Sequence, residues 1–176
     1  MISSKIVRSI HDSIWKEIWE LYSSSFPIFE RRILSNQIDA MKDDRFNCRI
    51  YFEDENLVGI LFYWEYKNYK YIEHFTINKY LRGRNYGSKI LKDFCYDNKT
   101  IILEIDPIVD EISKRRLRFY ENIGFKLNNI VHTHPPYRKG YNGHNLKVLS
   151  HKRKLDLFEY NEFNKFLKDE VMRYSE

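Results

Sequence analysis

The sequence predicts a mixed α/β fold, of the α+β type, formed by one domain. Three strand-like runs, at 45–52, 57–66 and 70–77, are separated only by the turn-like residues DEN and KN, which predicts an antiparallel meander. Between positions 78 and 125, helical and strand-like patterns alternate. A chain of 176 residues that is 43% hydrophobic can bury a core without disulfides or metals.

The first 41 residues predict one strand and two helices. KIVRSI, at 5–10, has strand character, and the helix predicted over 12–26 takes Asp12 as its N-cap. Helical spacing places five residues of that helix on one face: Ile14, Ile18, Leu21, Tyr22 and Ser25. Pro27 interrupts the pattern, and a second helix is predicted within 30–41.

The second half of the chain predicts a strand, a helix and a final pair of strands. TIILEI, at 100–105, reads as a buried strand, and ISKRRLRFYENIGF, at 112–125, predicts a helix that ends in a glycine stop. The last two strands are predicted within 128–134 and 146–150, joined by the loop PPYRKGYNG. Residues 1–150 are therefore predicted to form the main domain.

Residues 151–176 are predicted to form a helical extension. After the charged joint HKRK, helical spacing gives one apolar face: Phe163, Phe166, Leu167, Val171 and Tyr174. Because amphipathic helices usually bury such a stripe locally, we expect this helix to pack on its own domain rather than to act as a dimer arm. Both a monomer and a homodimer are compatible with the sequence.

Composition and spacing exclude several classes of protein. The formal net charge of +5 comes from Lys and Arg interleaved with acids, and no nucleic-acid module is recognisable, so no nucleic-acid partner is expected. No long apolar run or signal peptide opens the chain, which predicts a cytoplasmic protein without membrane association. Cys48 and Cys95 are predicted to be reduced core residues, and His132 and His134 have no further ligand at a metal-binding spacing, so no metal is expected.

The segment YLRGRNYGSKIL, at 80–91, is a basic glycine-bearing turn between a strand and a helix. Free N–H groups at a helix N-terminus and the helix dipole together favour a bound phosphate. The segment matches neither a Walker loop nor a three-glycine dinucleotide fingerprint. It does resemble the acetyl-CoA motif [QR]-x-x-G-x-[GA] of the GNAT superfamily of N-acetyltransferases, with Arg82 first, Gly87 last and Asn85 in place of the first glycine.

A second motif strengthens the resemblance. FYENIGF, at 119–125, is similar to the F-Y-E-x-x-G-F signature that follows the acetyl-CoA loop in this superfamily. ERR, EISKRR and PPYRKG are similar to one bacterial branch whose substrates are unassigned, and the resemblance covers roughly 5–150. It implies a GNAT-type fold, in which a mostly antiparallel sheet splays after the strand ending at Ile77 and holds acetyl-CoA in the opening.

The resemblance also implies a set of residues for acetyl-CoA. Ser113 stands where the family often has an asparagine that contacts CoA, and Arg116 either binds a CoA phosphate or pairs with an acid. The full predicted set is Phe75, Thr76, Ile77, Arg82, Gly83, Arg84, Asn85, Tyr86, Gly87, Ser88, Ser113 and Arg116. Acetyl-CoA is expected as co-substrate.

Acetyl transfer to an amine needs a base and an acid, because an alkyl ammonium must lose a proton and the CoA thiolate must leave. Tyr120 matches the family's general acid, with a core aromatic as the alternative role. Strand alternation places Glu73 and His74 on opposite faces, so Glu73 is either the base or a structurally paired carboxylate, with Glu104 in reserve. A backbone N–H near 76–77 would meet the developing oxyanion.

The function predicted from these residues is direct acetyl transfer from acetyl-CoA to a primary amine of a small molecule or peptide in a ternary complex. The alternative is a catalytically weak GNAT-like module that binds or senses acyl-CoA, motivated by Asn85 and Ser113. The sequence does not identify the acceptor amine, because specificity lies in loops.

Overall fold

The computed structural model describes residues 1–96 and 98–176, and within them an open eight-stranded sheet is flanked by five α-helices. The strands are β1 (Ile2–Val7), β2 (Phe46–Glu53), β3 (Asn56–Tyr66), β4 (Tyr69–Ile77), β5 (Thr100–Ile105), β6 (Phe125–Leu127), β7 (His132–His134) and β8 (His144–His151). The helices are α1 (Trp15–Ser25), α2 (Leu34–Ala40), α3 (Tyr86–Phe94), α4 (Glu111–Glu121) and α5 (Leu157–Phe166). The strand order is β1-β2-β3-β4-β5-β8-β6, with β7 paired to β8. The predicted mixed α/β class is confirmed.

The sheet opens between its two central strands. All pairs are antiparallel except β4 and β5, which run parallel and pair only from Tyr69 with Thr100 to Ile72 with Leu103. Beyond those residues β5 remains paired with β8, while β4 remains paired with β3. The splay therefore begins at Ile72, within β4, and the rest of β4 forms one wall of a V-shaped opening.

A β-bulge lies at the start of this opening. Phe62 pairs with His74 and Tyr63 with Ile72, so Glu73 is an extra residue in β4. The prediction that Glu73 and His74 point to opposite faces is wrong, because both side chains contact Tyr137. An inserted residue cancels the strict alternation of a strand, and the sequence contains no signal for it.

The core consists of two apolar clusters, one on each face of the sheet. One cluster packs α1 and α5 against the sheet through residues such as Ile18, Trp64 and Phe163. The other packs α3 and α4 against the opposite face through residues such as Leu91 and Phe125. Cys48 and Cys95 are free thiols buried in the first and second cluster, respectively.

Three local predictions differ from the structure. The N-cap of α1 is Ile14, because the Asp12 carboxylate accepts the Ile14 N–H and contacts Lys5 before the helix starts. Helix α4 ends at Glu121, short of Gly124, whose φ of +113° turns the chain into β6, a strand that the sequence did not predict. Strand β1 covers 2–7 rather than 5–10.

Residues after β8 return to the central core. Helix α5 continues as a π-helical turn over Leu167–Val171 and then as a 3₁₀ turn over Met172–Tyr174. Tyr174 stacks on Trp64 with 5.8 Å between the ring centroids, and Phe163, Phe166, Leu167 and Val171 are buried. None of the helices in the described parts of the chain has the length and apolar character to cross a bilayer.

Candidate active site

A cleft of about 980 Å³ occupies the opening between β4 and β5. One side of it is formed by the N-terminal turn of α3 and by α4, and the other by the loop before α2, by β7 and by the start of β8. The cleft therefore joins a basic, glycine-bearing edge to a face rich in histidine and glutamate. A volume of this size is typical of a small-molecule site.

The N-terminus of α3 opens onto the cleft without a side-chain cap. Asn85 occupies the N-cap in the left-handed region, with φ +63°, and its side chain accepts no hydrogen bond from the helix. By contrast, α4 and α5 both carry capping boxes. The first-turn amides of Tyr86, Gly87 and Ser88 are thus available to an anion, with the helix dipole behind them.

Most of the residues predicted to bind acetyl-CoA come together along this cleft. Those that line it are Phe75, Thr76, Ile77, Arg82, Gly83, Asn85, Tyr86, Gly87, Ser88 and Arg116. Arg84 instead lines an adjoining cavity on the other side of the turn. The Arg82 Nε donates to the carbonyl of Ile77 at 3.2 Å, which ties the turn to the end of β4.

Two of the predicted CoA contacts are engaged elsewhere. Ser113 completes the capping box of α4: its hydroxyl donates to the Asp110 carboxylate at 2.8 Å and accepts the Val109 N–H, and the side chain does not line the cleft. Arg116 pairs with the carboxylate of Asp106 while still bordering the cleft, which is the second of the two predicted roles.

Tyr120 projects from α4 to the cleft and its hydroxyl has no hydrogen-bond partner among the described residues. The ring packs edge-on against Phe119 and Phe125, with centroids 5.1 and 5.7 Å away. Burial raises the pKa of Tyr120 to about 12, although Arg116 acts in the opposite direction. The phenol therefore keeps its proton at neutral pH and can donate it.

Glu73 is held in a buried ion pair. Its Oε1 lies 2.7 Å from the Arg32 guanidinium, and it accepts hydrogen bonds from Trp64 and from the Tyr137 hydroxyl, both at 2.9 Å. The side chains of Glu73 and Arg32 are both 0% exposed. Burial raises the pKa of Glu73, but Arg32 outweighs it and lowers that pKa to about 2. Only the main chain of Glu73 borders the cleft.

Glu104 lines the cleft beside β7. It follows the last β5 residue paired with β4, and 6% of its side chain is exposed. It accepts hydrogen bonds from the Tyr71 hydroxyl at 2.5 Å and from His132, whose other ring nitrogen faces the Tyr160 hydroxyl of α5 at 3.0 Å. Burial raises the pKa of Glu104, but the neighbouring histidines and Tyr71 outweigh that effect and lower it.

Sequence reasoning did not find the contacts of Arg32 and Tyr137 that complete this face. Arg32 lies in a charged tripeptide that is typical of a surface loop, yet its guanidinium is buried and also donates to the Val171 carbonyl at 2.9 Å. Tyr137 belongs to the loop PPYRKGYNG, and its hydroxyl donates a hydrogen bond to the carboxylate of Glu73, which lies 64 residues earlier in the chain. No periodicity or spacing could reveal contacts of this sequence separation.

Comparisons with known proteins agree with this geometry. The sequence model of the acetyltransferase (GNAT) domain matches residues 24–147. The Bacillus subtilis protein named "Putative acetyltransferase YjbC" is 31% identical over 110 residues, a match that covers 61% of this chain but only 56% of that protein.

Two solved structures share the fold over most of the chain. A "Putative acetyltransferase from GNAT family" from Bacteroides thetaiotaomicron superimposes with a TM-score of 0.89 at 29% identity, covering 97% of this chain and 98% of that one. A Bacillus subtilis acetyltransferase in complex with CoA has a TM-score of 0.59 at 15% identity, covering 85% of this chain and 97% of that one, and shows the shared fold.

Proposed function

The chain belongs to the GNAT acetyltransferase family, and we propose that it transfers an acetyl group from acetyl-CoA to a primary amine of a small molecule or peptide. One observation carries the proposal: the uncapped first turn of α3, the Tyr120 hydroxyl and the Glu104 carboxylate all border one cleft. An anion site, a proton donor and a carboxylate are the groups that acetyl transfer from a nucleotide thioester requires.

The cofactor half of the cleft fits the phosphates of acetyl-CoA. The amides of Gly87 and Ser88 are in the first turn of α3, beside the basic residues Arg82 and Arg116. Asn85 adopts the left-handed backbone for which the family uses glycine, so the turn keeps its shape despite that replacement. Acetyl-CoA supplies the activated acetyl thioester.

The residues of this chain then act on the acceptor amine and on the leaving thiol. In the proposal, Tyr120 donates to the departing thiolate, and the main chain around Thr76 and Ile77 stabilises the negative charge that develops on the acyl oxygen. The neutral amine attacks directly, without a covalent enzyme adduct.

For Glu73 we propose a supporting role rather than that of the base. Its carboxylate has no exposed surface, already accepts three donors and has a pKa of about 2. Such a group is a poor proton acceptor at neutral pH, whereas it can hold Arg32 and Tyr137 in place beneath the acceptor. Glu104, the reserve candidate, lies at the surface of the cleft.

Replacement of one amide donor tests the cofactor site. Ser88→Pro removes an N–H from the first turn of α3, where proline is tolerated, while Ser88→Ala removes only the side chain. Because a hydrogen bond to a charged group contributes about 1.5–3 kcal/mol, we expect the proline variant to bind CoA about 10–100-fold more weakly in calorimetry and the alanine variant to bind almost normally. Equal affinities would contradict the proposed site.

A thiol-release screen with acetyl-CoA and a panel of small amines, amino acids and peptides tests turnover. We expect at least one primary amine to be acetylated at a rate well above acetyl-CoA hydrolysis. Tight binding of acetyl-CoA with no thiol release for any amine would favour the sensing module instead.

A further inference from the structure

We propose that His134 accepts the proton from the acceptor amine and that Glu104 stabilises the resulting imidazolium. The inference rests on the proposed acetyl transfer, and it assigns the base that the reaction requires. His134 ends β7 and lines the same cleft as Glu104. Its ring stacks on Tyr137, with 4.9 Å between the centroids, so its orientation is fixed by packing.

Hydrogen bonding determines which nitrogen of His134 can take a proton. Nδ1 lies 2.6 Å from the carbonyl oxygen of Pro135, so Nδ1 carries the hydrogen. Nε2 then holds the lone pair. That nitrogen is buried and has no hydrogen-bond partner among the described residues, and only 3% of the side chain is exposed. A buried acceptor left unpaired is a group that substrate can satisfy.

The nearest charge makes this lone pair a proton acceptor. Glu104 Oε2 lies 3.9 Å from His134 Nε2, and both ion-pair contacts recorded for Glu104 are with histidines, His132 and His134. Protonation of His134 therefore places a cation beside a buried carboxylate that has no lysine or arginine contact within the described residues. The carboxylate is therefore placed to attract the cation that forms on transfer of the amine's proton.

The other histidines around the cleft are less suited to this role. His132 uses both ring nitrogens, on Glu104 and Tyr160. His74 donates to the Glu30 carbonyl and also leaves its other ring nitrogen buried and unpaired, but the neighbouring carboxylate of Glu73 is already paired with Arg32. Burial, opposed by Glu73, lowers the pKa of His74 to about 4. His144 also has an unpaired buried nitrogen, but it stacks on Phe29 and makes no ion pair with a carboxylate within residues 1–96 and 98–176.

The proton balance is simple. The alkyl ammonium loses one N–H bond, an Nε2–H bond forms on His134, and the amine keeps its electron pair for attack on the thioester carbon. Positive charge moves from the amine to the imidazole and remains next to Glu104. The nitrogen loses a second proton as the tetrahedral intermediate collapses, which balances the proton that Tyr120 gives to the CoA thiolate. The proton on His134 passes to solvent after the product leaves.

The test compares His134→Gln with His11→Gln, a change at an exposed histidine that does not line the cleft, using an amine that the wild-type protein acetylates. We expect His134→Gln to bind acetyl-CoA normally in calorimetry but to lose about 10²-fold or more in kcat/KM for the amine, whereas the His11 variant stays within a few-fold of wild type. Added imidazole should restore part of the rate of the His134→Ala variant, because it can replace the missing base. A residue with a purely structural role would not be rescued in this way. Imidazole should not raise the rate of Glu104→Gln. Loss of less than threefold in His134→Gln, or no rescue, would overturn the assignment.

A wild-type measurement covers the case in which the variants fail to fold. We expect kcat/KM for the amine to fall as the pH decreases from 8 to 6, because general-base catalysis requires an unprotonated base in the free enzyme. The titratable groups that face His134 are Glu104, His132, His74, His144 and Tyr137. A profile that is flat over this range would overturn the inference. Absence of transfer by the wild type to every amine would refute the proposed function itself, and acetyl transfer that does not depend on His134 would refute only this step.

Discussion

The buried pair of Arg32 and Glu73 gives the sharpest prediction for stability. Glu73→Gln keeps the shape of the side chain but leaves the Arg32 guanidinium uncompensated in a site where both side chains are 0% exposed. Removal of one partner of such a pair costs about 3–5 kcal/mol. The pKa of about 2 leads to a similar figure, since lowering from an ordinary value near 4.3 corresponds to about 3 kcal/mol.

The expected result is a melting temperature about 6–12 °C below that of the wild type at pH 7, since about 3 kcal/mol shifts a domain of this size by about 2–4 °C per kcal/mol. Because the pKa of Glu73 is lowered by folding, its stabilisation is complete above pH 4–5 and declines as the pH falls towards 2. The difference between variant and wild type should therefore shrink in acid. Thermal and urea unfolding followed by circular dichroism measure both effects.

A matched control is the exposed pair of Lys42 and Asp39, whose side chains are 71% and 57% exposed. Asp39→Asn should cost less than about 1 kcal/mol. If Glu73→Gln is no less stable than Asp39→Asn, the argument from buried charge is wrong. If Glu73→Gln is folded at the assay temperature and binds acetyl-CoA normally but loses acetyl transfer about 10²-fold, while His134→Gln does not, Glu73 rather than His134 is the base.

Three further substitutions test separate parts of the site. Tyr120→Phe should lower kcat by about 10²-fold without changing the calorimetric affinity for CoA, and an unchanged kcat would leave Tyr120 as a packing residue. Gly59→Ala should lower the free energy of unfolding in urea by about 1–3 kcal/mol, because the new Cβ would lie 2.7 Å from the Thr76 carbonyl oxygen. Wild-type stability of this variant would show that β4 can shift at little energetic cost. Asn85→Ala should cost about 1 kcal/mol while Asn85→Gly costs less, owing to the φ of +63°; the reverse order would contradict the left-handed turn.

The elements of the fold that could be predicted are those that a short sequence pattern marks. The meander of β2, β3 and β4 follows from short turns, and the turn before α3 follows from its glycines and basic residues. The proposed CoA-binding edge of the cleft is continuous in sequence apart from α4, so motifs could locate most of it.

The acceptor half of the cleft could not be predicted in the same way. His134 is brought to Glu104 by the pairing of β8 with both β5 and β7, and Arg32 is brought to Val171 across 139 residues. Ser113 illustrates a different limit, because one hydroxyl can cap a helix or contact a ligand and the sequence does not say which. The bulge at Glu73 changes the face of the sheet on which the Glu73 side chain lies, and no feature of the amino-acid composition indicates the bulge.

The path of residues 151–176 has a consequence for protein synthesis. On the ribosome, β1 to β8 emerge before Phe163, Leu167 and Val171, which cover one face of the sheet, and before the carbonyl that Arg32 uses. At about 5–20 residues per second, translation of this stretch takes about 1–5 s. Until residues 151–176 emerge, the chain exposes apolar surface and lacks the carbonyl that Arg32 uses, so we expect a chain truncated after residue 150 to bind a hydrophobic dye more strongly than residues 1–176 do.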